Sequence, residues 1–229
     1  MTPPKPLVVI ALAAIGCLGF AMLSKQWLYN PRTRASTVMA SYEYAFGPIS
    51  MYRCAPRQDA SPVCEAMSNG ELVDDFRAEI ASARKRAESL PAGSGQELMI
   101  GAQAEATMVA DMLQTSSAFA PLGWVTVVSS AIALLSLVCI AGLVLANKRV
   151  LLPIMPTTTA LLGSIVGLVS GCLFVAAKPG APGFVGVSFG FWMFGAGCVL
   201  GLAAATLLNK HIRPLDLDLL EDAMDPENY

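Results

Sequence analysis

Two cysteines, Cys54 and Cys64, are the residues of this sequence best placed for covalent chemistry. Nine residues separate them, and they lie outside the long apolar runs that hold the other four cysteines. In an oxidising compartment, two cysteines this close most simply form one disulfide. Two free thiols or a metal pair are the alternatives, but no histidine lies near them in the sequence. We therefore predict a Cys54–Cys64 disulfide and no metal site.

Catalytic motifs are missing from the sequence. A membrane thiol oxidoreductase of the quinone-coupled type is a weak alternative, because it needs a low-pKa pair, usually C-x-x-C, and no C-x-x-C occurs. Walker, G-x-S-x-G, H-E-x-x-H and dinucleotide-binding patterns are also missing. The single histidine, His211, follows Lys210 and is expected to be an interfacial group. We predict a non-enzymatic protein with no catalytic residue and no cofactor.

The composition indicates a membrane protein. Only 14% of the 229 residues are charged, against about 25% in soluble domains, and 55% are hydrophobic. The formal net charge is −2. These values exclude a disordered chain, a basic nucleic-acid binder and most soluble enzymes. We infer neither a nucleic-acid partner nor a small-molecule substrate.

Four apolar runs are long enough to cross a bilayer, which requires about 20 residues of helix. None contains an ionisable residue, and they cover residues 7–24, 122–146, 157–177 and 184–208. The connections at 147–156 and 178–183 are short and rich in proline, glycine and basic residues. The favoured interpretation of the first run is a retained anchor. A cleaved signal peptide is the alternative, because Gly19-Phe20-Ala21 fits a small-x-small cleavage site.

Basic residues in short loops predict the topology. The 147–156 connection carries Lys148 and Arg149, and the segment after the fourth run carries Lys210 and Arg213. We therefore place the N-terminus (1–6), the 147–156 loop and the acidic tail (209–229) in the cytoplasm. The protein would then be a multi-pass protein of the plasma membrane or a bacterial inner membrane. Residues 25–121 form the first outer loop, and residues 178–183 form the second.

The first outer loop is long enough to be a small α+β domain. Residues 38–46 alternate polar and apolar, Gly47-Pro48 indicates a turn, and residues 49–54 are expected to return as a second strand. Apolar residues at helical spacing predict an amphipathic helix over 72–90, stopped near Pro91. Residues 96–113 are also compatible with a helix. We expect this domain to rest on the outer ends of the membrane helices.

Small residues recur every four positions in the third and fourth runs, which lets helix backbones approach closely. Packing of these two helices within one chain is the favoured interpretation, and an oligomer interface or partner groove is the alternative. The residues are Gly163, Gly167, Gly171, Gly186, Gly190, Gly197, Gly201 and Ala205.

The outline resembles the claudin-like (PMP22-like) tetraspan family. The resemblance rests on the four-span topology, on Trp27 after the first run, and on the spacing and placement of Cys54 and Cys64. The family's Gly-Leu-Trp element is missing, and Ile49, Ser50 and Met51 stand in its place. The resemblance implies cytoplasmic termini and a small sheet in the first outer loop.

Tryptophan is also enriched at membrane interfaces, where Trp27 and Trp124 are expected as anchors near helix ends.

We thus predict a mainly α protein: a left-handed four-transmembrane-helix bundle with a small disulfide-closed α+β extracytoplasmic domain. Its expected role is non-catalytic, as an accessory or scaffold subunit of a larger membrane assembly or as a claudin-like contact protein. Its expected partners are the lipid bilayer and other membrane subunits or its own copies. The alternative is a homo-oligomeric channel, for which Thr126, Ser129, Ser130 and Ser136 are the candidate lining residues.

Overall fold

The computed structural model describes residues 5–30, 43–55, 63–91, 95–146, 149–150, 154–180 and 182–214. This part of the chain is mainly helical. Its helices are α1 (Lys5–Leu23), α2 (Asn69–Glu88), α3 (Gln96–Leu113), α4 (Phe119–Leu145), α5 (Ile154–Ala176) and α6 (Phe189–Asn209). Its strands are β1 (Leu28–Asn30), β2 (Glu43–Phe46), β3 (Ser50–Ala55), β4 (Val63–Ser68), β5 (Arg149–Val150), β6 (Gly186–Val187) and β7 (Arg213–Pro214).

Four helices, α1, α4, α5 and α6, are long and apolar enough to cross a membrane. Helices α4 and α5 each begin three residues before the predicted starts at 122 and 157. The reason is that Pro121 and Pro156 lie in the first turn, where a helix loses no hydrogen bond to proline. Helix α6 begins at Phe189, five residues after the predicted start at 184, because Gly186 and Val187 form β6 instead.

A five-stranded antiparallel sheet has the order β4-β3-β2-β1-β6. Strand β2 falls within the predicted strand 38–46, of which 38–42 lie outside the described residues. Strand β3 confirms the predicted return strand over 49–54. Strand β1 lies between β2 and the edge strand β6, and its Leu28 pairs with Phe46 on one side and Val187 on the other. The segment between α5 and α6 therefore contributes a strand to the sheet formed between α1 and α4.

Helix α2 owes its start to a capping box. The Ser68 hydroxyl accepts from the Glu71 N–H at 3.1 Å, and the Glu71 carboxylate accepts from the Ser68 N–H at 2.7 Å. Next in the chain, the buried Asn69 side chain donates to the carbonyls of Gly47 and Pro48 at 3.1 and 2.9 Å. These bonds fix the first turn of α2 to the β2–β3 turn. Helix α3 packs against α2.

The chain divides into two compact units. One comprises Met1–Gly19, Ser129–Val166 and Gly195–Tyr229, and the other comprises Phe20–Val128 and Gly167–Phe194. The first, here called the helical unit, holds the first part of α1, the middle and end of α4, the larger part of α5 and most of α6. The second, here called the sheet unit, holds the five-stranded sheet, α2, α3 and the remaining helix ends. A separate parallel pair, β5 with β7, lies in the helical unit.

Candidate functional site

The predicted disulfide is confirmed, and it joins neighbouring strands. Cys54 of β3 lies directly opposite Cys64 of β4, with their Cα atoms 4.0 Å apart and their sulfurs bonded. The adjacent pair, Arg53 and Glu65, forms a 2.7 Å ion pair across the same two strands. Strand β4 is exposed along nearly its whole length. The disulfide therefore secures an edge strand that is exposed along nearly its whole length.

Trp27 lies at the centre of an aromatic cluster in the sheet unit. Its side chain is 1% exposed, and its indole N–H donates to the Ala21 carbonyl at 2.7 Å. The rings of Phe194, Phe174 and Phe191 lie 4.6, 6.1 and 6.1 Å from the Trp27 ring. Trp27 thus packs against protein and satisfies its donor internally. These contacts account for the burial of the Trp27 side chain. The match of Trp27 to the tryptophan of the claudin-like family stays a prediction.

Trp124 has the opposite environment, with 57% of its surface exposed on α4. An exposed tryptophan on a candidate span is the arrangement expected of a membrane-interface anchor. Its role as an anchor stays a prediction.

A second stack of rings connects the sheet to the ends of the candidate spans. Phe46 of β2 meets Phe119 of α4 edge-on at 6.1 Å, and Phe119 stacks on Phe174 of α5 at 4.5 Å. Gly123 permits this packing, because a Cβ at this position would overlap the Pro48 carbonyl. The sheet therefore rests on the ends of α4 and α5 within the sheet unit, as the sequence led us to expect.

In the helical unit, three of the predicted glycines allow a neighbouring helix to approach closely. A Cβ on Gly163 would lie 2.8 Å from the Ser129 carbonyl oxygen of α4, and one on Gly197 would lie 2.9 Å from the Leu18 side chain of α1. A Cβ on Gly201 would lie 3.0 Å from the Ser164 hydroxyl of α5. Residues of α1, α4 and α5 in the same chain fill the space next to these glycines. The contacts therefore involve three helices and are not limited to the pair α5 and α6.

In the sheet unit, Gly171 faces the Phe194 ring, and a Cβ on Gly190 would lie 2.8 Å from the Gln26 carbonyl oxygen. Gly186 departs from the prediction: it lies in β6, paired with Tyr29, and not in a helix. The sequence pattern misplaced it because a glycine four residues before Gly190 fits a helical repeat equally well.

The remaining small residues of the predicted faces, Gly167 and Ala205, are both buried. Their burial agrees with packing inside the chain and leaves the oligomer alternative untested.

The hydroxyls proposed to line a pore lie mostly inside the chain. Thr126, Ser129 and Ser130 are buried, and the Thr126 hydroxyl donates to Ser170 of α5 at 3.0 Å. Ser136 is within 2.8 Å of the Thr159 hydroxyl on an exposed surface of the helical unit. Three of the four candidates therefore face protein neighbours.

The first turn of α3 is an exposed apolar surface that the sequence analysis did not single out. Leu98, Met99 and Ile100 are 59%, 41% and 57% exposed, whereas the apolar residues later in α3, Val109 and Leu113, are buried. Three consecutive apolar residues point to about 200° of a helix's circumference, so one packing partner cannot cover them all. The run Leu98-Met99-Ile100 is therefore the sequence feature from which this exposed surface could have been predicted.

The carboxyl of Glu71, in the first turn of α2, has a lowered pKa. The backbone N–H of Ser68, and then its hydroxyl, lower the pKa of the Glu71 carboxyl below its ordinary value of 4.5. The lowered pKa of Glu71 therefore results from the hydrogen bonds that cap α2. Among the described ranges, no group of three or more His, Cys, Asp or Glu residues is arranged to hold a metal ion.

Comparison of the sequence with protein-family models found no match, and comparison with curated proteins found none.

Proposed function

We propose that this chain is a non-catalytic membrane protein that acts as an accessory or scaffold subunit of a larger membrane assembly. The observation that carries the proposal is the exposed first turn of α3, formed by Leu98, Met99 and Ile100. Apolar surface left open on a domain outside the bilayer commonly marks a protein contact. We further propose that this domain is extracytoplasmic and that both termini are cytoplasmic.

The claudin-like architecture is part of the same proposal. It is supported by four candidate spans, by a sheet between the first two of them, and by the Cys54–Cys64 disulfide within that sheet. The addition of β6 to β1 ties the short second loop to the first. A rigid, disulfide-closed platform of this kind suits a protein that presents a surface to another subunit.

The accessory role is favoured over a homo-oligomeric channel. A pore between copies needs hydrophilic side chains on an outward surface, but Thr126, Ser129 and Ser130 are buried within the chain. The outward residues of the spans are instead large and apolar, as contact with lipid acyl chains requires. Examples are Leu135, Val138, Leu162, Val169 and Leu173.

Site-specific photo-crosslinking in the native membrane tests the proposal. A crosslinking amino acid at Ile100 should capture one foreign membrane subunit in stoichiometric yield. The matched control is Val63 of β4, which is also apolar and exposed, at 58%, but lies on the sheet. Equal capture from both positions, or capture only of further copies of this chain, would contradict the accessory role.

A further inference from the structure

A groove with a volume of about 280 Å³ lies between α2 and α3 in the sheet unit. Four apolar residues form its floor, Val73, Phe76, Ile80 and Leu113, and three of them, Val73, Phe76 and Leu113, are almost fully buried. Small-molecule sites begin at about 300 Å³ and depend on a few well-placed polar groups. The groove is close to that lower limit, which is enough for one small polar head.

Three charged side chains surround this floor. Arg77 and Arg84, seven residues apart on one side of α2, line one wall, and Asp111 of α3 lines the other. Arg77 has an ion pair to Asp74 at 3.6 Å, but both side chains are largely exposed, and such pairs are weak. Because a guanidinium has five N–H donors, this pair leaves most of the hydrogen-bonding capacity of Arg77 unused.

The groove lies close to the start of a candidate span. Gln114 and Thr115 line one end of it, and α4 begins four residues later at Phe119. The Gln114 carbonyl accepts from the N–H of Gly180, just beyond the end of α5, at 2.9 Å. This end of the groove therefore lies beside the ends of two candidate spans, which is where lipid headgroups lie if those spans cross a bilayer.

We propose that the groove binds the head of a phospholipid that carries both a phosphate and a primary ammonium, taken from the leaflet on the same side as α2 and α3. Arg77 and Arg84 bind the phosphate, since guanidinium groups match phosphate oxygens in geometry and charge. Asp111 accepts from the ammonium. A purely anionic head would leave the Asp111 carboxylate without a cationic partner from the ligand, whereas an ammonium supplies one. The inference requires only that the candidate spans lie in a bilayer, and no partner subunit is needed.

Native mass spectrometry of the full chain in mild detergent tests this site, with phosphatidylethanolamine as the probe. We expect the wild type to retain one lipid and Arg84→Gln to weaken its binding about tenfold, as loss of a charge-assisted hydrogen bond implies. Lys85→Gln is the matched control, because it removes the same charge one residue away from a side chain that does not line the groove. It should change binding less than about twofold, as expected for an exposed charge.

Two further probes distinguish the head chemistry. Phosphatidylglycerol, which has a phosphate and no ammonium, should bind the wild type more weakly than phosphatidylethanolamine, and Asp111→Asn should abolish that preference. Inorganic phosphate should not displace the lipid. Unchanged thermal unfolding of each variant establishes that it folds.

Several results would overturn the assignment. If Arg84→Gln and Lys85→Gln weakened lipid binding equally, the binding would come from general surface charge and not from the groove. If inorganic phosphate displaced the lipid, the groove would be a site for free anions. Absence of any retained lipid in the wild type would reject it outright. None of these results bears on capture of a partner at Ile100, so the two proposals fail independently.

Discussion

Two apolar groups in the sheet unit, one aromatic and one aliphatic, have opposite environments. Trp27 and Phe174 of the aromatic cluster are almost fully buried, whereas Leu98 and Ile100 in the first turn of α3 are more than half exposed. The cluster joins the loop after α1 to the ends of α5 and α6, and so contributes to the stability of the fold. The α3 turn contributes little to that stability, since it packs on little of the chain. The difference separates residues that hold the fold from residues available to a partner.

The largest expected effect is at the cluster. Trp27→Ala should lower the free energy of unfolding by about 3–5 kcal/mol, because it leaves a cavity among three phenylalanine rings. Thermal unfolding in detergent measures the loss, with Ile100→Ala as the control, since that side chain is mainly exposed. Similar destabilisation by both variants would remove the distinction between the two groups.

The disulfide should have the next largest effect. Replacing Cys54 and Cys64 together with serine should cost about 2–3 kcal/mol, because the bond closes a short loop and limits the unfolded chain. Unfolding of the wild type with and without reductant gives the comparison. A double variant as stable as the oxidised wild type would show that pairing of β3 with β4 needs no covalent support.

A pair of glycines in α6 extends the comparison to the helical unit. Gly197→Ala should destabilise by about 1–3 kcal/mol, because its Cβ would press on Leu18 of α1 at 2.9 Å. Gly195 has nothing within 4 Å, so Gly195→Ala should stabilise by about 0.5–1 kcal/mol through helix propensity alone. Thermal unfolding of the two variants should therefore shift in opposite directions, and shifts of the same sign would contradict the packing of α6 on α1.

The smallest effect is expected at the α2 cap, and it depends on pH. The folded-state pKa of Glu71 is lowered, so its contribution to stability is complete above the ordinary value of 4.5 and is lost as pH falls through the lowered pKa. Glu71→Gln should remove that part of the acid sensitivity. Unfolding followed from about pH 7 downward measures it, and an unchanged acid limb in Glu71→Gln would exclude the cap as its source.

Local and periodic features of this fold were predictable from sequence. The spans, α2, α3 and β3 follow from apolar runs and periodicity, and the disulfide follows from two cysteines outside those runs. The short strands were not predictable. Strands β1 and β6 are three and two residues long, too short to show alternation, and they form through pairing between distant parts of the chain.

The candidate site was predictable only in part. Strand β4 was missed because nearly all its residues are exposed, so neither face shows an apolar pattern. The glycine repeats predict close helix packing, but spacing within a helix does not specify which neighbour fills each position. Gly197, for example, admits Leu18 of α1, and Gly163 admits α4. Likewise, the exposure of Leu98 and Ile100 depends on how far α2 covers α3, which is a tertiary property.

The most direct test of the accessory role is the native mass of the complex, extracted from its own membrane in mild detergent, with its components identified by peptide sequencing. The account predicts a stoichiometric foreign membrane subunit that is lost when Leu98 and Ile100 are both replaced by serine, while the variant chain stays folded. A closed ring of identical copies, or a lone monomer from wild-type membranes, would contradict it.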